Sequence, residues 1–290
     1  MKTTTITVGR WQVEAARAPR PGAPKLILTA PWPLTLHTFE RIWPRLISRF
    51  DVTAVDLPGF GGSAQAPETM TPSAMADFLE ALLEEVAPEG AHLVATDVGV
   101  PAALVYAARR PAGLRSLTLS DGPGTAAPVL QPGLERMVKS PFVRWLLSLS
   151  PRTFVRIAAR DGYQHSNIAA DALDHAVRSH GREGRLRKTL GFLGSYPEEL
   201  PALDAKLGSV EVPTLLLWGE RDVFVPPENA ERIAARLGDV RVVRLPEAGH
   251  FSHDDDVEGY ADNLLSFVES AGLGDEAIRP ADALPRRPRE

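Results

Sequence analysis

The stretch HLVATDVGVPAAL, residues 92–104, decides how the rest of the chain is interpreted. Its first half has the apolar pattern of a buried strand, and its second half has the small apolar residues of a buried helix. Asp97 stands at the turn between the two, and Ala95 and Gly99 are small enough for strand and helix to pass closely. This layout is typical of a nucleophile elbow, a strained turn that presents a catalytic side chain at the end of a strand. The alternative is an aspartate that only caps the following helix.

Strand and helix patterns alternate on both sides of this turn. Short apolar strands are predicted at 25–29, 51–56, 91–96, 114–120, 212–219 and 240–246, and helices at 36–48, 71–86, 99–110, 228–237 and 257–271. Residues 3–8 and 11–16 alternate polar and apolar side chains around Gly9, which predicts an antiparallel hairpin at one edge. Together these patterns predict an α/β fold with a mostly parallel sheet covered by helices on both faces.

The strand pattern stops between residues 124 and 208, where short helical segments are separated by prolines and glycines. Because strands resume afterwards, we interpret residues 124–208 as a helical lid that is inserted into a single sheet. The predicted core therefore comprises residues 1–123 and 209–273. Residues 274–290 are rich in proline and charge, and we expect this tail to be disordered.

The composition excludes several classes of function. The net charge of −5, with interleaved signs, provides no basic surface for nucleic acid, so we expect a small, largely apolar substrate. The absence of cysteine excludes disulfides and thiolate chemistry. No stretch approaches the roughly 18 apolar residues of a membrane span, and the polar start predicts no secretory signal. A cytoplasmic location without membrane contact is expected, whereas the oligomeric state, monomer or homodimer, stays open.

Metal chemistry is not predicted either. Four histidines show no metal-ligand spacing with acidic residues and are interpreted as surface or core residues: His37, His92, His175 and His180. No cofactor is therefore expected. The acidic run at 254–256 is expected to cap the last helix, because negative charge is favoured at a helix N-terminus.

Two further residues complete a candidate catalytic triad with Asp97. Asp222 lies in LLLWGERDVFVP, in the loop after a predicted strand, and His250 lies in LPEAGHFSH, just after the next strand. Both positions are strand ends, where ligands meet an open α/β sheet. The chain order of nucleophile, acid and histidine is the one expected for a nucleophile elbow. Asp121 is a reserve candidate for the acid, and His253 is a reserve for the histidine.

From Lys25 to about Ala271 the chain resembles the α/β-hydrolase superfamily. The resemblance rests on the turn DLPGFGGS at 56–63, the elbow, the WGxxD loop and the GH loop. It implies an eight-stranded, mostly parallel sheet with an inserted lid. Within the superfamily, an aspartate at the elbow resembles the epoxide hydrolases and the haloalkane dehalogenases.

That resemblance implies a two-step reaction. An aspartate is ionised at neutral pH, so Asp97 can attack an sp³ carbon directly and form an alkyl ester. His250, oriented by Asp222, would then deprotonate a water molecule that hydrolyses this ester.

The second step needs an oxyanion hole, which the superfamily usually builds with a segment HGxP. The matching residues here are 30–33, with the sequence APWP, so both His and Gly are replaced. The backbone N–H groups of Trp32 and Val98 are the expected donors, because Pro31 has none. The resemblance also implies a cis peptide bond before Pro33. The replacements at Ala30 and Pro31 leave open a different chemistry.

The leaving group separates the alternatives. An epoxide oxygen needs a proton donor, and the lid provides Tyr163 and Tyr196 as candidates. A departing halide needs N–H donors, and Val98 stands where the dehalogenases commonly carry tryptophan, which weakens this alternative. The indoles of Trp32 or Trp145 are the remaining halide donors. We therefore expect an epoxide hydrolase, with a dehalogenase as one alternative and a cyclisation or elimination with Asp97 as base as another.

Overall fold

A computed structural model describes residues 1–182 and 184–277 of the chain, with side chains placed up to residue 271. Its eight strands form one sheet in the order β1-β2-β4-β3-β5-β6-β7-β8. The strands are β1 (Thr3–Val8), β2 (Trp11–Ala18), β3 (Lys25–Thr29), β4 (Asp51–Val55), β5 (Ala91–Thr96), β6 (Leu114–Ser120), β7 (Thr214–Gly219) and β8 (Val240–Leu245). Strand β2 is antiparallel to both of its neighbours, and all other pairs are parallel. The predicted fold, including the edge hairpin, is confirmed.

The α-helices of the described residues alternate with these strands. They are α1 (Trp43–Ile47), α2 (Pro72–Val86), α3 (Gly99–Ala108), α4 (Pro132–Lys139), α5 (Pro141–Ser148), α6 (Pro151–Gly162), α7 (Ala170–His180), α8 (Arg185–Leu193), α9 (Tyr196–Asp204), α10 (Glu228–Ala234), α11 (Ser252–Asp255) and α12 (Val257–Ala277). None of them is long and apolar enough to cross a membrane.

Local chemistry explains where helices begin. The Thr71 side chain accepts a hydrogen bond from the N–H of Ala74, and Pro72 occupies the first helical position, so α2 begins where the sequence predicts. The predicted helix 36–48 is instead a 3-10 turn at Leu36–Phe39 followed by α1. Pro44 has no backbone N–H to donate, so it is accommodated in the first turn of a new helix.

The end of the last helix differs from the prediction. Helix α12 continues to Ala277, four residues into the tail that we expected to be disordered. The remainder of that tail, residues 278–290, lies outside the described residues.

Two large apolar clusters lie on opposite faces of the sheet, because β3 to β6 alternate their side chains between the faces and are buried on both. The six helices α4 to α9 lie between β6 and β7, in the interval of the predicted lid. A third, smaller cluster joins them to the core through Leu34, Val155, Tyr163 and Phe251. The carboxyl ends of the parallel strands are therefore covered by helices rather than by solvent.

Candidate active site

Asp97 lies in a strained turn between a strand and a helix. Strand β5 ends at Thr96 and α3 begins at Gly99. The φ angle of Asp97 is 49°, in the left-handed region that non-glycine residues rarely adopt. A Cβ atom on Gly99 would lie 2.4 Å from Thr29 Oγ1, so the close approach of β3 requires glycine there. The carboxylate of Asp97 accepts a hydrogen bond from Trp32, and the N-cap of α3 is Val98, so the geometry disfavours the alternative that Asp97 is only a helix cap.

The two oxygens of the Asp97 carboxylate face different partners. Oδ2 accepts a hydrogen bond of 2.8 Å from the backbone N–H of Trp32, and Oδ1 lies 3.6 Å from His250 Nε2. The peptide bond between Trp32 and Pro33 is cis, as expected. Despite its altered sequence, this segment thus presents a backbone donor to the carboxylate.

The Nδ1 atom of His250, on the side away from Asp97, contacts a second carboxylate. It lies 2.8 Å from Asp222 Oδ2, while Oδ1 of Asp222 accepts the backbone N–H groups of Phe224 and Val225. Burial alone would lower the pKa of His250, but the charges and hydrogen bonds of Asp222 and Asp97 outweigh burial and raise it. The arrangement orients Nε2 toward Asp97, as general base chemistry requires.

The two reserve residues are engaged elsewhere. Asp121 accepts hydrogen bonds from the backbone N–H of Gly219 and from the hydroxyl of Ser252. His253 is buried and its Nε2 lies 3.1 Å from the hydroxyl oxygen of Thr38. Both residues therefore hold loops of the core together, and the geometry favours Asp222 and His250.

Neither tryptophan candidate offers a free indole to a halide in the site. The indole N–H of Trp32 donates to the hydroxyl of Thr189, a partner on α8 that sequence reasoning did not identify. The side chain of Trp145 is 44% exposed on α5, where it packs against exposed Phe142. Val98 is buried next to Asp97, and its backbone N–H stays a predicted oxyanion donor.

The hydroxyl of Tyr163 is engaged by a carboxylate other than Asp97. It donates a hydrogen bond of 2.5 Å to Asp254 Oδ2, and the tyrosine ring packs against Phe251. Burial and the neighbouring charge of Asp254 raise the pKa of this hydroxyl well above its usual value. Because this hydrogen bond occupies the hydroxyl of Tyr163, the geometry favours the other lid candidate, Tyr196, and a catalytic role of Tyr163 stays a prediction.

The acidic run at 254–256 also differs from the prediction. Only Asp256 caps α12, through the backbone N–H of Gly259. The carboxylate of Asp255 accepts four backbone N–H groups, those of Gly249, Gln164, His165 and Ser166. Asp254 and Asp255 thus anchor the segment after α6 to the loop that carries His250. The sequence does not reveal this role, because the partners are distant along the chain.

Among the described residues, the hydroxyl of Tyr196, unlike that of Tyr163, is not bonded to a carboxylate. The side chain of Tyr196 is buried at the start of α9, and its hydroxyl has no hydrogen-bond partner within the described residues. Burial and the negative charge of Asp97 raise the pKa of this hydroxyl well above its usual value. Of the two predicted lid tyrosines, only Tyr196 combines a free hydroxyl with electrostatic contact to the elbow.

Other contacts that the sequence did not reveal fix the lid. Arg185, at the start of α8, donates hydrogen bonds to the backbone carbonyls of Gly59, Phe60 and Ser63. These residues belong to the turn DLPGFGGS, so one buried guanidinium connects the lid to the core.

The four histidines that were interpreted as surface or core residues divide into two groups. His92 and His180 are buried and bonded to Ser116 and to the carbonyl of Ala176. His37 and His175, in contrast, lie together with Glu14, in a group whose ligand atoms are within 4.8 Å of one another. The spacing along the chain, which predicts no metal site, does not report this approach to Glu14.

The fold and the site define a class of enzyme. A mostly parallel α/β sheet presents an aspartate on a strained turn, a histidine and its acidic partner at strand ends, and a backbone N–H donor on the aspartate. This is the architecture of a hydrolase with a carboxylate at its elbow.

Comparisons with known proteins agree with this class. A family model for the alpha/beta hydrolase fold matches residues 26–257. The chain is 29% identical to a pimeloyl-(acyl-carrier protein) methyl ester esterase of Neisseria meningitidis, with 87% of this chain and 78% of the esterase covered. It is 26% identical to a haloalkane dehalogenase of Bradyrhizobium diazoefficiens, with 89% and 90% covered. The chain therefore belongs to the α/β hydrolase fold family and is a hydrolase.

Solved structures support the same fold. A loop variant of a haloalkane dehalogenase from Bradyrhizobium elkanii superposes with a TM-score of 0.78 at 22% identity, and the match covers 96% of this chain and 99% of the dehalogenase. At this identity the likeness concerns the fold alone. The names of these relatives span ester and carbon–halogen hydrolysis, so the substrate must be argued from the side chains of this site.

Proposed function

We propose that the protein hydrolyses an epoxide of a small, largely apolar molecule through an alkyl ester on Asp97. The proposal rests on two groups: the carboxylate of Asp97 at the elbow, and the buried hydroxyl of Tyr196, which has no hydrogen-bond partner among the described residues and whose pKa is raised by the charge of Asp97. An epoxide uses both groups, because one of its carbons needs a nucleophile and its oxygen needs a proton.

In the first step, Asp97 Oδ1 forms a bond to one epoxide carbon, and the bond from that carbon to the ring oxygen breaks. Oδ2 stays on the N–H of Trp32 and becomes the carbonyl oxygen of the ester. The ring oxygen takes the proton of Tyr196. The raised pKa keeps that hydroxyl protonated until a strongly basic alkoxide forms beside it.

In the second step, His250 Nε2 takes a proton from water, and the hydroxide adds to the carboxyl carbon of Asp97. Ester formation removes the charge of Asp97, one of the two charges that raise the pKa of His250, which favours the neutral imidazole needed as base. The N–H of Trp32 stabilises the negative charge that develops on Oδ2. When the ester bond breaks, the second alkoxide takes the proton from His250, and the regenerated carboxylic acid returns one to Tyr196.

Aromatic rings support an apolar substrate. Phe154 packs against Trp32, Phe192 packs against Tyr196, and Phe224 packs against His250. Each functional group thus has an apolar neighbour, as in most small-molecule sites.

Ester hydrolysis fits this site less well. A serine converts an ester into another ester, whereas a carboxylate that attacked an acyl carbon would form an anhydride, which is more reactive than the starting ester. For this reason the name of the esterase relative does not transfer to a chain with Asp97 at its elbow.

Dehalogenation is the second candidate, and the dehalogenase relative favours it. Its first step uses the same attack by Asp97. The leaving halide, however, would need a donor that Val98 does not provide and that Trp32 gives to Thr189. The alternative of a cyclisation or elimination was based on the altered sequence at 30–33. It is less well supported, because this segment still donates a backbone N–H to Asp97.

The experiment is to trap the ester. We expect His250→Gln to form it but not to hydrolyse it, so intact mass spectrometry after incubation with a panel of aryl and alkyl epoxides will show the added mass of a whole epoxide. Peptide mapping will place the adduct on Asp97, and the double variant that adds Asp97→Asn will show none. With haloalkanes, an alkyl adduct and free halide would favour the second candidate. No adduct with any epoxide would overturn the proposal.

A further inference from the structure

Three residues with metal-ligand atoms meet at the junction of core and lid, outside the catalytic site. Glu14 lies on β2, His37 lies in the 3-10 turn before α1, and His175 lies on α7. Their candidate ligand atoms are within 4.8 Å of one another, and Glu14 Oε2 is 3.7 Å from His175 Nε2. All three side chains are half-buried, so they are ordered by neighbours yet reachable from solvent.

The outer nitrogens of both imidazoles are already engaged. Nδ1 of His37 lies 3.1 Å from the carboxylate of Glu40, and a carboxylate accepts hydrogen bonds, so Nδ1 carries the proton. Nδ1 of His175 lies 3.2 Å from the hydroxyl of Thr35. Histidine ligands of metals almost always use the other ring nitrogen in this way, which orients Nε2 toward the ion.

The absence of a side chain at Gly62 leaves space for the carboxylate of Glu14. A Cβ atom on Gly62 would collide with the carboxylate of Glu14, so only glycine permits its present position. Next to Glu14 and His175 lies an open cavity of about 370 Å³, which also borders Arg182. The guanidinium of Arg182 opposes a cation, whereas the carboxylate of Glu14 favours one. The charge of Glu40 is balanced by the N-terminal ammonium, 3.0 Å away.

We propose that Glu14, His37 and His175 bind a divalent transition metal of the zinc type, with water as the remaining ligand. Two imidazoles and one carboxylate are a donor set that Zn²⁺ accepts at about 2.0–2.2 Å, which places the ligand atoms of a tetrahedron roughly 3.4 Å apart. The 3.7 Å between Glu14 and His175 is already close to this value, and the ligand atom of His37 lies within 4.8 Å of both.

The site joins two parts of the molecule. Glu14 and His37 belong to the core, whereas His175 belongs to the lid helix α7, so the bound ion connects lid and core. Because a ligand that binds only the folded state stabilises it, metal binding raises the melting temperature. This inference does not depend on the reaction that Asp97 performs.

The test uses the full chain without a histidine tag, freed of metal by chelator and titrated with Zn²⁺ in a calorimeter. We expect one ion per chain and a rise in melting temperature, and we expect Co²⁺ to give the visible absorption of a four-coordinate site. His175→Gln, His37→Gln and Glu14→Gln each lower the affinity by about 100-fold or more, and Glu40→Gln, which removes an outer partner, lowers it by about tenfold.

The matched control is His165→Gln, which removes an exposed histidine outside the cluster and leaves the affinity unchanged. Circular dichroism of each variant confirms that it is folded before titration. The proposal is overturned if the wild-type chain binds no Zn²⁺ at micromolar concentrations, or if the folded cluster variants bind it as tightly as the His165 control.

Discussion

The two tyrosines of the lid differ in the hydrogen bonding of their hydroxyl groups. Tyr163 and Tyr196 are both buried, and burial raises the pKa of both hydroxyls. The hydroxyl of Tyr163 donates a hydrogen bond to Asp254, whereas the hydroxyl of Tyr196 has no partner in the part of the chain that the structure describes. A buried polar group without a partner costs about 1–3 kcal/mol, so it persists where a ligand supplies the missing hydrogen bond. We therefore predict that Tyr163 contributes to stability and that Tyr196 contributes to the reaction.

The position along the lid explains this difference. Tyr163 follows α6, in the segment that Asp254 and Asp255 hold against the core. Tyr196 begins α9, where its hydroxyl has no partner among the described residues and the charge of Asp97 contributes to its raised pKa. The hydroxyl of Tyr163 is thus bonded to the core, whereas the hydroxyl of Tyr196 has no partner among the described residues.

The largest expected effect is that of Asp97→Asn. This variant removes the proposed nucleophile, on which the proposed role of Tyr196 depends. We expect the rate of epoxide hydrolysis to fall by about 10⁴-fold or more, because the remaining groups have no carboxylate to form the ester. Steady-state kinetics and thermal unfolding of the same preparation measure it. Activity within tenfold of the wild type, in a folded variant, would show that chemistry does not begin at Asp97.

Tyr196→Phe is expected to have the next largest effect. Loss of the proton donor lowers kcat by about 10²- to 10⁴-fold, while stability stays equal or increases by up to about 1 kcal/mol, because an unsatisfied buried hydroxyl is removed. Steady-state kinetics measure the loss of kcat, and urea unfolding measures the change in stability. A strong loss of stability with little loss of kcat would reverse the assignment of the two tyrosines.

Tyr163→Phe is the matched variant, and we expect it to change stability instead of chemistry. The carboxylate of buried Asp254 loses its hydroxyl donor, so the free energy of unfolding falls by about 1–3 kcal/mol. The value of kcat stays within about threefold of the wild type, because this hydroxyl does not contact the substrate. Urea unfolding and kinetics on the same epoxide decide, and a large loss of kcat without a loss of stability would contradict the account.

The smallest expected effect is a pH dependence that sharpens the role of Asp254. Burial raises the pKa of Asp254 from 3.8 to about 6, so the folded state binds its proton more tightly than the unfolded state. Its contribution to stability is therefore present below about pH 4 and is lost as the pH rises to about 6. We expect a loss of about 1–2 kcal/mol over this range, because residual solvation reduces the full conversion of about 1.4 kcal/mol per pKa unit.

The control for this effect is Asp254→Asn, which has no such titration. The difference in unfolding free energy between wild type and variant, measured by urea unfolding at several pH values, isolates Asp254 from other buried acids such as Asp56. A difference that is independent of pH would show that the carboxyl does not titrate in this range.

The sequence predicts the core of the site better than the lid. Asp97, Asp222 and His250 each follow a strand, and the carboxyl ends of parallel strands meet at one edge of a sheet. Their convergence thus follows from local patterns and chain order. The pair of Tyr163 and Asp254 is separated by 91 residues, and no local pattern reports how lid helices pack. The cluster of Glu14, His37 and His175 escaped prediction for the same reason, because ligand spacing along the chain reveals only local metal sites.

The central claim, that Asp97 is a covalent nucleophile, is tested most directly by oxygen-18 labelling. The substrate is the epoxide that gives the His250→Gln adduct. The wild-type enzyme is allowed many turnovers of this epoxide in oxygen-18 water, and the mass of the peptide that contains residue 97 is then measured. Because each turnover transfers a carboxylate oxygen to the diol and replaces it from water, the account predicts heavy oxygen in the side chain of Asp97. An unlabelled peptide after extensive turnover, with all of the label in the diol, would contradict the account.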